Sequence, residues 1–133
     1  RDNAISAQDL ERMGITVESW AQATADGAII GFVAENESSF LGFCFGDIES
    51  GEILVLAVAP QADGCGLGRA LLLRVVEQLG QLGHRRLFLG CSTDPGVRSH
   101  GFYRHLGWMP TGKLDANDDE ILELRLIEVD VTR

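Results

Sequence analysis

Residues Val58 to Leu73 read VAPQADGCGLGRALLL, and this stretch decides the fold. An apolar run ends at Pro60. Three alternating glycines follow, in Gly64-Cys65-Gly66-Leu67-Gly68, and a helix-forming segment starts at Arg69. The order is a strand, a glycine-rich turn and a helix N-terminus. Glycine lets the backbone turn tightly and approach a ligand closely. The first N–H groups of a helix have no partner within it, and the helix dipole favours an anion there. The stretch therefore predicts a cradle for a phosphate or diphosphate. Glycines also punctuate ordinary strand-to-helix connections, so a plain structural turn is the competing reading.

Two glycine motifs are excluded by position. A P-loop needs G-x-x-x-x-G-K-[ST], and no Lys follows these glycines. The dinucleotide fingerprint G-x-G-x-x-G fails because its last position falls on Arg69 when counted from Gly64, and on Leu71 when counted from Gly66.

Outward from the turn, Leu67, Leu71, Val75, Leu79 and Leu82 recur at spacings of three and four, with Leu72 and Val76 widening the stripe. This predicts an amphipathic helix from about 66 to 82, with Gly83 at its C-terminus. Upstream, strands are expected over 28–35, 40–47 and 52–59, all antiparallel and joined by turns at 36–39 and 48–51. Before them, short helices are expected over 6–12 and from Thr16 to about Ala25, with Gly27 ending the second. Downstream, Leu87 to Cys91 reads as a buried strand. Asp94-Pro95 reads as the N-cap and first position of a helix ending at Gly107. Strands near 108–114 and 120–129 flank the acidic loop 115–119. No repeat or linker divides the chain, so one domain over 1–133 is expected.

The 133 residues suit a single core, and 45% of them are hydrophobic. The net charge of −9 argues against nonspecific nucleic-acid binding, which needs a basic face. No apolar run is long enough to cross a bilayer, and no signal-peptide pattern appears. Cys44, Cys65 and Cys91 are dispersed and form no C-x-x-C pair, which reads as reduced thiols in a cytoplasmic protein. His84, His100 and His105 show no metal-ligand spacing, so no metal is expected.

Two segments together resemble a known family. Asp63 to Gly68, after a strand ending in V-x-P, resembles motif A of the GCN5-related N-acetyltransferases, Gln/Arg-x-x-Gly-x-Gly/Ala. Gly101-Phe102-Tyr103-Arg104-His105-Leu106-Gly107-Trp108 resembles the F-Y-x-x-x-G-F segment of the same superfamily. The resemblance covers roughly residues 15 to 128. It implies an α/β fold built on a mixed, mostly antiparallel twisted sheet flanked by helices. The family begins with one more strand and helix, and the usual first strand is expected to be missing here.

The resemblance also implies a function. Acetyl-CoA would be the co-substrate, and a primary amine on a small molecule or peptide the acceptor, attacking directly in a ternary complex. Backbone groups of Leu56, Ala57 and Val58 would meet the pantetheine arm. Gly64, Cys65, Gly66, Leu67, Gly68 and Arg69 would hold the diphosphate. Tyr103 would be the general acid for the leaving thiolate. Gly96 and Ser99, spaced three and four from it on one helical face, would leave room for the cofactor. Glu52 would be the base, with Glu35 and Asp47 as weaker acceptor contacts, and Trp20 would line the acceptor cleft or the core. Asp63 departs from the usual Gln/Arg and sets a negative charge beside the diphosphate. Two other readings stay open. One is a noncatalytic acyl-CoA-binding or regulatory module. The other is an interaction domain whose glycine turn is structural. A homodimer is a further expectation.

Overall fold

The computed structural model describes residues 7–24 and 27–127. The chain divides into two compact units, Arg1–Leu82 and Gly83–Arg133. The first holds helix α1 (Ala7–Arg12), strands β1 (Thr16–Thr24), β2 (Gly27–Glu35), β3 (Phe40–Asp47) and β4 (Ile53–Val58), and helix α2 (Leu67–Gln81). The second holds β5 (Arg86–Cys91), α3 (Arg98–His105), β6 (Met109–Leu114) and β7 (Glu120–Arg125).

In the first unit the four strands lie in the order β1-β2-β3-β4, and every neighbouring pair is antiparallel. The segment from Thr16 corrects the sequence reading. It is a strand, and Ala25, where the expected helix was to end, lies outside the described residues. A helix there would be short, and a short helix is marginal alone. The strand pairs with β2 along its whole length, from Thr16–Glu35 to Thr24–Gly27. That ladder, with the β-favouring Thr, Val and Trp side chains, outweighs the local helix-start signal. β1 follows α1 in the chain and occupies the sheet edge beside β2.

Helix α2 forms as the periodicity predicts. Leu67, Ala70, Leu71, Leu72, Val75 and Leu79 are buried, while Leu82, just past the helix, is half exposed. Each fully buried leucine contributes about 1.5–3 kcal/mol. Glycines of β3 seat this helix against the sheet. A Cβ at Gly46 would lie 3.0 Å from both Leu79 Cδ1 and Val75 Cγ1. A Cβ at Gly42 would lie 3.2 Å from Leu71 Cδ1 and 2.7 Å from the Ala57 carbonyl oxygen. Between them Cys44 is fully buried, and burial pushes its thiol up to about 12.

The second unit is an antiparallel sheet in the order β5-β7-β6. Leu87, Leu89 and Leu122 are buried within it, as is Trp108 just before β6. Arg104 ties α3 to β7 through a 2.5 Å contact with Glu120. Glu123 of β7 accepts from Arg86 at 2.6 Å and from Arg125 at 3.3 Å, and Arg86 chiefly holds its carboxyl below the usual range. Asp94-Pro95 does not start the helix. The Asp94 side chain accepts from the Gly96 N–H at 2.9 Å, and its carbonyl accepts from Val97 N–H at 3.0 Å. These bonds close a turn, and helix geometry begins only at Arg98.

The seating of α2 predicts that Gly42→Ala destabilises the protein by about 1–3 kcal/mol, because its nearest new neighbour is a backbone oxygen. Urea unfolding monitored by circular dichroism measures this.

Candidate functional site

β4 leads into the glycine turn through one 3-10 turn, Pro60–Ala62, which ends at Asp63 in extended backbone. Gly64 and Gly66 both have positive φ, at 80° and 88°. Gly66 is the N-cap of α2 and sits in the left-handed region, where a side chain would be strained. It offers no side-chain oxygen to the helix start, so Leu67, Gly68 and Arg69 bring the first three N–H groups of α2 to the turn. A Cβ on Gly64 would meet nothing within 4 Å, so the turn is open on that side. The Cys65 thiol donates to the Ala62 carbonyl at 3.0 Å and ties the turn back onto the 3-10 segment. Asp63 is exposed.

β4 closes one side of its sheet. The Ala59 N–H donates to the Leu41 carbonyl at 2.8 Å, which makes Gly42–Val58 a non-hydrogen-bonded pair. By alternation Ala57 exchanges its backbone bonds with Phe43. Leu56 and Val58 direct theirs to the outer edge, away from the β3 ladder. The sequence reading treated Leu56, Ala57 and Val58 alike; only the first and last have outward backbone groups. A bulge accompanies this edge. Phe45 faces Val55 and Gly46 faces Ile53, so Leu54 is the extra residue. Nothing in the sequence signals it, since an apolar run has no mark for register.

The carboxylates distribute along the sheet. Glu52 is partly buried and immediately precedes β4, and its carbonyl accepts from the Asp47 N–H at 2.8 Å. Asp47 and Glu52 therefore share the sheet end remote from Val58. One Asp47 carboxylate oxygen accepts from the Glu49 N–H at 2.9 Å within the connecting turn. Glu35, paired with Phe40, lies at the Val58 end instead. Trp20 is on β1 rather than on a helix, is 44% exposed, and meets Phe45 edge-on at 5.4 Å.

In the second unit Ser99 and Tyr103 are one helical turn apart on α3. Gly96 is in the preceding turn, so the expected three-residue helical face reduces to two. The Tyr103 ring is set edge-on between Phe102 at 5.1 Å and Trp108 at 6.0 Å. Its carbonyl accepts from the Leu106 and Trp108 N–H groups at 3.0 and 3.1 Å. The Ser99 hydroxyl lies 3.8 Å from the buried Cys91 sulfur. Among the described residues no cluster of three or more His, Cys, Asp or Glu could hold a metal. Likewise, no helix among them is long and apolar enough to cross a membrane.

The profile of the acetyltransferase (GNAT) family matches residues 5–108. The chain belongs to that family. Solved structures share the acetyltransferase fold. A GNAT-family acetyltransferase from Desulfovibrio desulfuricans aligns with a TM-score of 0.63 at 21% identity, covering 83% of this chain and 99% of that one. A GNAT acetyltransferase from Elizabethkingia anophelis, solved with acetyl-CoA bound, aligns at 0.63 and 15% identity, covering 85% and 99%. PaiA N-acetyltransferase from Thermoplasma acidophilum, solved with coenzyme A, aligns at 0.60 and 23%, covering 73% and 59%. A mycothiol acetyltransferase from Beutenbergia cavernae is 41% identical over 64 residues, which are 48% of this chain and 21% of that protein. The chain thus spans about a fifth of the length of that relative.

Cys65 sits in the turn, while Cys44 and Cys91 are buried. One thiol per chain is expected to react with a disulfide reagent in the native protein. Cys65→Ser should remove that reaction, and denaturant should release two further thiols. Counting thiols by absorbance tests the exposure of the turn.

Proposed function

We propose that residues 1–133 act as one acetyltransferase domain, moving an acetyl group from acetyl-CoA to a primary amine on a small molecule or peptide. The observation that carries this reading is the left-handed Gly66 cap at the start of α2, next to a β4 edge with outward backbone groups. A diphosphate fits such a turn. It needs N–H donors, the positive end of a helix and no side chain in the way. An extended pantetheine amide fits the Leu56 and Val58 edge, as a peptide fits a sheet edge. Family membership supports both assignments.

The chemistry makes three demands. The amine must attack as the free base. Its nitrogen then bonds to the thioester carbonyl carbon as the C–S bond breaks. The nitrogen loses a proton, and the coenzyme A sulfur gains one. Glu52 is the proposed base, receiving the amine proton directly or through water. Tyr103 is the proposed acid, since a phenol is protonated at neutral pH and can donate to a departing thiolate. Its edge-on packing against Phe102 and Trp108 limits how its ring can turn. Asp63 beside the turn opposes a diphosphate by charge, but its exposure places it where water and salt screen that effect.

Thermal shift with acetyl-CoA, followed by thiol release with a panel of amines, tests the reading. A shift without thiol release for any amine would identify an acyl-CoA-binding module. Absence of a shift would leave only a structural turn. Given turnover, Tyr103→Phe should lower kcat by about 10²–10⁴-fold and leave acetyl-CoA affinity nearly unchanged. A loss of affinity with intact kcat would move Tyr103 from proton donation to binding.

A further inference from the structure

The outer edge of β1 has no part in the proposed reaction. β1 closes its sheet on the side opposite β4 and runs in unbroken register against β2. The Ile48 N–H donates to the Ala28 carbonyl at 2.9 Å, so Ile29–Asp47 is a non-hydrogen-bonded pair. Ile29 therefore turns its backbone groups to its β1 partner, Gln22. By alternation Thr16, Glu18, Trp20 and Gln22 bond to β2. The N–H and C=O groups of Val17, Ser19, Ala21 and Ala23 point outward.

Protected edges are short, bulged, or carry Lys or Pro. This one is nine residues long, TVESWAQAT, with Glu18 as its single charge. Its central residue, Trp20, extends a row of rings along one face. Trp20 meets Phe45, and Phe45 lies 5.7 Å from Phe43. Gly31 stands between Trp20 and Phe45 in register. A Cβ there would lie 2.1 Å from the Phe45 ring, so only glycine lets the rings meet.

We propose that two copies of this chain pair antiparallel through their β1 edges, joining two four-stranded sheets into one of eight strands. The two-fold axis passes beside Trp20. This register overlaps the whole strand and uses every outward group. Ser19 exchanges both backbone bonds with Ala21 of the partner subunit, and Val17 does so with Ala23 of the partner subunit. Trp20 faces Trp20 of the partner subunit as a close, non-hydrogen-bonded pair, continuing the aromatic row across the axis. Glu18 faces Gln22 of the partner subunit, whose amide can donate to the carboxylate. A register centred on Glu18 would instead oppose two carboxylates, so the charge pattern selects the full overlap. The net charge of −9 per copy resists association, and physiological salt screens much of that repulsion.

Sedimentation equilibrium at physiological ionic strength tests this on the full chain. The wild-type chain is expected to dimerise. Gln22→Lys should tighten the dimer and Gln22→Glu should loosen it, each by roughly 2- to 30-fold in Kd, since two symmetric pairs change at once. Ala21→Pro removes an N–H that β2 does not use, and should give a monomer with an unchanged circular dichroism spectrum. The Gln22 pair keeps the test decisive if the proline variant folds poorly. A wild-type chain that stays monomeric at high micromolar concentration overturns the proposal. So does a dimer whose Kd ignores both Gln22 substitutions.

Discussion

The close seating of α2 on β3 is the constraint from which the first unit follows. Gly42 and Gly46 carry no side chain toward the helix, so Leu71, Val75 and Leu79 reach the strand itself. Cys44 fills the interval between them. An interior packed to crystal-like density holds the helix to one position. That position fixes where the helix begins, and the turn before it must reverse direction within a few residues. Gly66 in the left-handed region is the solution. The same residue that ends the turn places no side chain of its own over the helix N-terminus.

The catalytic proposal depends on that consequence more than on any ionisable group. In the proposal a diphosphate is bound by backbone dipoles, and these are set by the fold rather than by side-chain identity. This is why an aspartate at position 63 is tolerable in the proposal. The β4 edge acts in the same way, because register against β3 decides that Leu56 and Val58, not Ala57, present their backbone groups outward. Specificity for the acceptor must come from side chains elsewhere, and those vary most freely within a fold family.

Legibility in the sequence follows the range of the interactions. α2 is legible because its apolar stripe and terminal glycines are local signals that packing reinforces. β2 and β3 are legible because their apolar runs are bounded by polar turns, with Asn36 bonding to the Ser38 and Ser39 N–H groups at 2.9 Å each. β1 is not, because Thr16 to Ser19 resembles a helix cap, and only the partner strand reveals the ladder. α3 starts later than Asp94-Pro95 suggests because the Asp94 side chain bonds to Gly96 and closes a turn instead. For the site, the glycines and Tyr103 are legible as types at a spacing. The Leu54 bulge and the alternation along β4 are properties of register, which no single segment encodes.

The central claim is that the N-terminus of α2 and the outer edge of β4 bind acetyl-CoA. Amide chemical-shift mapping on isotope-labelled protein titrated with acetyl-CoA tests it most directly. The account predicts the largest shifts at Gly64 to Arg69. It also predicts slowed hydrogen exchange at the Leu56 and Val58 amides, with the Ala57 amide, already bonded to Phe43, unchanged. Shifts confined to other segments, or equal protection of all three β4 amides, would contradict it.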